Sequence, residues 1–238
     1  REDQLENALS KALELSIYIL NALGFEKFHA YVATKPKSKY IGDEKQWDHA
    51  TSVLEEIVQS AGLEYDIDEG GGAFYGPKID LKLKDSLNRK WQCSTIQFDF
   101  YLPMRFEMSY IDNEDKKQTP YMIHRALFGS VERFAALLIE HYKGDFPLWF
   151  APTQFGIIPI NQKHNAYCKR LSKELKKHGL RIELFDEATN MRSKIKSSEL
   201  EKIPFIIIVG DKEVNNSSLS LRSRKDGNIG EISLEELK

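Results

Sequence analysis

The chain has 238 residues, of which 41% are hydrophobic, 29% charged and 11% aromatic, with a formal net charge of −2. That composition suits one large or two modest globular domains with real cores, and no apolar run of membrane-spanning length interrupts it. From Leu148 onward, 16 Lys and Arg stand against 12 Asp and Glu. Before it the ratio is 18 to 24, as expected of two domains with different partners. The N-terminus is charged from Arg1, lacks a signal-peptide core and does not open on Met, which suggests a processed or truncated chain. Cys93 and Cys168 form neither a disulfide framework nor a CxxC knuckle, which points to a reduced, cytoplasmic protein.

In chain order, Leu5, Leu9, Leu13, Ile17 and Leu20 recur at helical spacing and stop before Gly24. Phe28 to Thr34 alternates as a strand and ends at Lys35-Pro36. Trp47, Ala50, Leu54, Ile57 and Val58 mark a second helix, with Asp43 as its N-cap and Gly62 past its end. After Gly70-Gly71-Gly72, alternation through Ile79, Leu81 and Leu83 leads to a turn at Asp85–Asn88 and then to a strand over Trp91–Phe100. In that strand Ile96, Phe98 and Phe100 share one face, and Cys93, Thr95, Gln97 and Asp99 the other. The pattern predicts a run of antiparallel strands, not a β-α-β alternation.

A strand over Pro120–Arg125 runs into a helix opening near Gly129-Ser130, with Val131, Phe134 and Leu138 as its apolar stripe. Pro147 and Pro152 bracket a linker, dividing the chain into residues 1–147 and 148–238. Beyond it, strands over Phe155–Ile160, Arg181–Phe185 and Phe205–Val209 alternate with helices ending near Gly179 and Lys202. This predicts a small α/β domain with a mostly parallel sheet. The unbroken Phe205–Val209 run is what a strand covered on both faces requires.

Several residues offer chemistry. Tyr75 and Lys78 follow the glycines with a hydroxyl and a cation. The polar face holding Gln97 is either solvated or the lining of a pocket. His124 sits where a strand enters a helix, and Arg133 brings a guanidinium to an apolar helix, where an anion, a stacked base or a neighbouring carboxylate would satisfy it. Lys194, Lys196, Lys202, Lys212, Arg222 and Arg224 form a basic edge suited to RNA or to solvent.

Three stretches carry a resemblance: Gly72-Ala-Phe-Tyr-Gly-Pro-Lys-Ile-Asp80, Trp91-Gln-Cys-Ser-Thr-Ile-Gln-Phe-Asp-Phe-Tyr-Leu-Pro103, and Met122-Ile-His-Arg-Ala-Leu-Phe-Gly-Ser-Val-Glu-Arg-Phe134. They resemble the threonyl-tRNA synthetase family of class II aminoacyl-tRNA synthetases, the third ending in the Glu-Arg of class II motif 3. Pro204–Glu213 and Leu221-Arg-Ser-Arg224 resemble that family's anticodon-binding domain.

The resemblance implies an α+β fold, part of the antiparallel class II sheet, followed by the α/β anticodon-binding domain. It implies threonine–tRNA ligation through a threonyl-adenylate, with ATP as substrate, zinc and magnesium as metals, tRNA(Thr) as partner and a homodimer as the intact protein. His124 matches a ligand of a zinc that binds threonine through its amino and hydroxyl groups, and Tyr75 and Gln97 match residues around the amino acid. Lys78 matches a residue near the adenylate, Arg133 the arginine that holds ATP, and Gln92 and Ser130 other pocket positions, although simple alternation points Gln92 away from Gln97 unless a bulge intervenes. Glu213, Arg222 and Lys202 match anticodon-reading positions, while Ala188 and Asn190 depart from the family's loop. Motifs 1 and 2, the zinc's remaining Cys and His, and the editing domain have no counterpart in these residues, so the chain is expected to be an inactive C-terminal half. The alternative is a tRNA-binding or regulatory relative without catalysis.

Overall fold

The computed structural model describes residues 1–237, which divide into two compact units, Arg1–His141 and Tyr142 onward. In the first, α1 (Glu2–Ala22), β1 (Phe28–Ala33), α2 (Glu44–Ser60), β2 (Tyr65–Asp68), β3 (Lys78–Lys84) and β4 (Lys90–Asp99) follow in order. A one-turn α3 (Leu102–Arg105), a hairpin of β5 (Tyr110–Ile111) and β6 (Lys117–Gln118), β7 (Met122–Ala126) and α4 (Val131–Tyr142) complete it. α2 starts on a capping box: Asp43 Oδ1 accepts from Gln46 N at 2.9 Å, and Gln46 Oε1 accepts from Asp43 N.

The main sheet runs β2-β1-β3-β4-β7. β1, β3, β4 and β7 pair antiparallel, but β2 pairs parallel to β1 across α2. That edge is a β-α-β unit, whose second strand the sequence pattern does not signal. Tyr65–Asp68 is short and mostly polar, so alternation could not reveal an edge strand there. One face of the sheet buries Ile79, Leu81, Leu83, Ile96 and Phe98 in a core shared with Leu9, Leu13 and Leu20 of α1 and Trp47 and Leu54 of α2. The other face carries the polar side chains. The α4 stripe also differs from expectation: Phe134, Leu137 and Leu138 are buried, while Val131 is 70% exposed.

β3 and β4 keep regular register from Lys78↔Gln97 to Leu81↔Ser94, then resume at Lys82↔Gln92, leaving Cys93 as the extra residue of a bulge. Simple alternation places Cys93 on the polar face. It is instead fully buried with its thiol toward the Trp91 carbonyl, and burial pushes its pKa up to about 11. The turn before β4 is held by Asp85, buried at 8% exposure. It accepts from Trp91 Nε1 at 2.9 Å, Arg89 Nε at 2.6 Å and the Leu87 and Arg89 amides.

In the second unit, β8 (Phe155–Pro159), a 3₁₀ turn at Gln162–His164, α5 (Asn165–Lys177), β9 (Ile182–Leu184), α6 (Met191–Leu200) and β10 (Phe205–Val209) precede α7 (Asp211–Asn216), β11 (Ser218–Ser223), β12 (Gly227–Ser233) and α8 (Leu234–Leu237). The sheet order is β12-β11-β10-β8-β9, with three parallel strands followed by an antiparallel pair. β10 feeds two cores. Ile207 and Val209 join Leu171, Leu175 and Leu221, and Ile206 joins Ile158, Phe185 and Ile203. This is the two-sided burial its apolar run predicts.

A Cβ at Gly76 would lie 1.7 Å from the Phe98 carbonyl oxygen, so Gly76→Ala must displace β4. It should cost about 1–3 kcal/mol, read as a lower urea midpoint. Burial would raise the Asp85 carboxyl, but the bonds from Trp91, Arg89 and Leu87 outweigh it and hold the pKa at about 2. The resulting stabilisation is present above the ordinary carboxylate pKa of about 4 and fades as pH falls through about 2. Asp85→Asn should therefore lower the melting temperature at neutral pH and flatten its decline between about pH 4 and pH 2.

Candidate active site

Three strands bring the polar residues into rows across the sheet. Register places Lys78 beside Gln97 and Gln97 beside His124, and one row along it places Asp80 beside Thr95 and Thr95 beside Ala126. Because the bulge at Cys93 shifts the phase of β4 by one residue, Gln92 falls on the same face as Thr95 and Gln97. Gln92, Thr95, Gln97, Ile123, His124, Arg125 and Ala126 line one open cavity of about 550 Å³.

Tyr75 closes over this row. The chain passes β4 at Gly76 so tightly that only glycine fits, and the Tyr75 hydroxyl donates to Gln97 Oε1 at 2.7 Å. Its ring stands edge-on to the His124 ring at 5.9 Å between centroids. Burial raises the Tyr75 pKa, opposed by the Gln97 hydrogen bond and aided by the Asp99 charge, so the phenol stays a neutral donor.

His124 Nε2 lies 2.7 Å from Oδ2 of Asp99, whose side chain is fully buried. Asp99 Oδ1 accepts the Tyr101 and Leu102 amides at 2.8 and 2.9 Å. A carboxylate fixed in this way makes Nε2 the protonated nitrogen of the neutral ring and leaves Nδ1 as an acceptor. This suits a hydroxyl, an amine or a metal. The expected zinc, however, is not accommodated by these residues: the described residues hold no group of three His, Cys, Asp or Glu able to grip a metal, and His124 supplies one donor.

Lys78 brings a cation to the mouth of β3. Its Nζ pairs with Asp80 Oδ2 at 2.6 Å, with its side chain 14% exposed. Asp80 Oδ1 accepts from Gln92 Nε2 and Thr95 Oγ1, both at 2.7 Å. Buried charge demands this saturation.

Arg133 is exposed on α4, with its guanidinium 5.3 Å from the Trp91 ring. No carboxylate pairs with it among the described residues, so its planar donors remain available to an anion or a base. Ser130 caps its helix: its Oγ accepts the Arg133 amide at 3.3 Å and donates to Glu132 at 2.8 Å. Gly129, at φ 65°, lies so close to the Gln92 and Cys93 carbonyls that a Cβ would meet them at 3.3 and 3.1 Å. The bulge and the start of α4 are therefore packed together.

In the second unit, Arg222 Nη2 lies 3.6 Å from Glu199 Oε1, and Lys202 Nζ donates to the Lys143 carbonyl. Each residue borders a small cavity that includes Ile203. Glu213 is not beside them. It is buried past the far end of β10, its Oε2 accepting the Gly210 amide at 2.8 Å. Sequence reasoning did not single out Asp80 or Trp91. An aspartate amid the Ile79–Leu83 alternation was the available signal, since strands disfavour Asp.

Residues 1–142 match the family model described as the tRNA synthetase class II core domain (G, H, P, S and T), and residues 154–238 match that of the anticodon binding domain. Threonine–tRNA ligase of Sulfurihydrogenibium sp. (strain YO3AOP1) is 48% identical over 236 residues, covering 99% of this chain and 36% of that protein. Chloroplastic/mitochondrial threonine–tRNA ligase 2 of Arabidopsis thaliana is 45% identical over 236 residues, with the same two coverages. Among solved structures, the RNA binding domain of threonyl-tRNA synthetase from Cryptosporidium parvum Iowa II superposes with a TM-score of 0.92 at 35% identity, over 99% of this chain and 59% of that one. The chain thus spans about a third of the length of the curated relatives it matches. With its first unit matched by the class II core and its second by the anticodon-binding domain, the chain belongs to the class II aminoacyl-tRNA synthetases.

Proposed function

We propose that the protein containing this chain is a threonine–tRNA ligase, which activates threonine with ATP and transfers it to tRNA(Thr). The observation that carries this reading is the placement of Gln97 and His124 on one row of the sheet with Tyr75 closing over them, and Asp99 fixing the imidazole. Such a row discriminates by polar pairing. Threonine offers an amine and a hydroxyl to Gln97 Oε1, the Tyr75 phenol and His124 Nδ1. Valine, its isostere, keeps the amine but lacks the hydroxyl, and would leave one of these half-buried groups without its partner.

Further along the face, Gln92 donates to Asp80 and Thr95, and Thr95 donates to Asp80, so this cluster offers the Gln92 carbonyl oxygen as an acceptor. The Lys78–Asp80 pair keeps a cation beside them, and Arg133 presents a guanidinium free of carboxylates to adenine or phosphate as negative charge develops at the α-phosphorus. Positioning and electrostatics supply the catalysis, and no side-chain nucleophile is required. The described residues provide no ligand set for magnesium or zinc, so no step is assigned to either metal.

In the second unit, Arg222 and Lys202 are the proposed anticodon contacts, with Glu213 shaping the loop at Gly210. A homodimer and a cytoplasmic setting follow from the same reading. No helix of the described residues is long and apolar enough to cross a membrane.

ATP–pyrophosphate exchange by the full-length protein tests the assignment. Threonine should support exchange about 10⁴-fold better than valine. His124→Ala should erode that preference, and Asp99→Asn should lower kcat/KM for threonine by about 10–100-fold, since it removes the carboxylate that orients His124. Exchange indifferent to the amino acid would sink the reading. A complete lack of exchange with tRNA binding retained would favour the non-catalytic relative. Arg222→Ala should weaken binding of tRNA(Thr) more than that of a tRNA with another anticodon, as measured by filter binding.

A further inference from the structure

The polar face that carries the candidate site continues along β3 and β4 into a cluster of cations. Lys82 and Lys84 share the face of Lys78 and Asp80 by alternation, about 14 and 20 Å along the strand from Lys78. Register sets Lys84 directly opposite Lys90, and Lys82 opposite Gln92, which lines the site cavity.

Tyr31 of β1, 9% exposed, organises them. Lys82 Nζ sits 3.8 Å over its ring, and Lys90 Nζ donates to its hydroxyl. No ion pair joins Lys82, Lys84 or Lys90 to a carboxylate among the described residues. Asp66, the acid that Lys90 senses, lies 3.0 Å from His29 Nε2. The lysines edge a groove of about 820 Å³, and the acids that also border it, Glu26 and Glu64, come from the loops before β1 and β2.

Like charges directly opposite in a sheet are destabilising. A fold that places Lys84 against Lys90 and holds Lys82 and Lys90 on one phenol keeps an ordered, unneutralised cationic surface that an anion would relieve. Its extent, about 7 Å from Lys82 to Lys84 with Lys90 one strand across, suits neighbouring phosphates of a chain rather than one isolated anion.

We propose that this face is an RNA-docking surface, on which Lys82, Lys84 and Lys90 contact phosphates of a tRNA strand leading to the site cavity. The proposal rests on the reading that the protein acts on tRNA. It adds a contact that neither the anticodon-binding unit nor the group of Tyr75, Gln97 and His124 supplies.

The test measures binding of this chain to whole tRNA(Thr), and to an RNA minihelix with the acceptor stem and 3′ end but no anticodon, across a salt series. The variant Lys82→Gln/Lys84→Gln/Lys90→Gln should weaken minihelix binding by about tenfold or more at low salt. It should also reduce the slope of log K against log salt by about 2–3, the loss of three phosphate contacts. Lys84→Glu, which turns a like-charge pair into an opposite one, should raise the melting temperature while lowering minihelix affinity. Those opposed directions separate docking from folding.

An unchanged affinity and slope in the triple variant would overturn the proposal, as would a wild-type chain that binds whole tRNA but not the minihelix. Tripolyphosphate that displaces the minihelix from wild type at equal phosphate concentration would assign the cluster to a free phosphate ligand and overturn the RNA assignment. Failure of wild type to bind either RNA would instead count against the tRNA reading on which the proposal stands.

Discussion

A single extra residue in β4 governs the chemistry of the first unit. With Cys93 bulged out of register, Gln92 shares one polar face with Thr95 and Gln97 instead of turning toward the core. Without the bulge, Gln92 would enter the apolar layer, where an unpaired amide costs free energy, and Cys93 would reach the cavity. The bulge is held from outside the strand pair, by Gly129 against the Gln92 and Cys93 carbonyls and by Ser94 Oγ donating to the Leu127 carbonyl. The segment that opens the Arg133 helix is thus also the segment that locks the phase of the site strand.

Buried carboxylates supply the second constraint. Asp80, Asp85 and Asp99 are each withdrawn from water, and each has both oxygens engaged. Removing a charge from solvent is tolerable only with this saturation. The consequence is rigidity in what they hold: the Lys78 ammonium and Gln92 amide for Asp80, the indole under Arg133 for Asp85, and the imidazole of His124 for Asp99. Of these, Gln92 and His124 line the cavity and are presented to it in one arrangement, which is what a site that discriminates by hydrogen bonding requires.

The two units use their sheets differently. In the first, one face is core and the other is left polar, so functional groups come from strands. In the second, β10 is covered on both sides, so charged groups are confined to strand ends, edges and helices. Arg222, Lys202 and Glu213 occupy such positions and do not converge on one point.

Much was legible in one dimension. The helical stripe of Leu5–Leu20, the Asp43 cap, the β3 and β4 alternation and the apolar run of β10 are local patterns, and local patterns report local structure. The stretches around Tyr75, Gln97, His124 and Arg133 were enough to suggest the family and the site. The partners of those residues were not legible, because they depend on register and phase across strands distant in sequence: Asp99 with His124, Asp80 with Lys78 and Gln92, Trp91 with Arg133. The parallel edge strand Tyr65–Asp68 was invisible for the same reason, since its pairing with β1 is decided by α2 crossing the sheet and not by its own polar residues. Composition and periodicity determined which segments are strands and helices. Only tertiary packing decided which carboxylate neutralises which cation, because a one-residue shift of phase moves a side chain to the opposite face of the sheet.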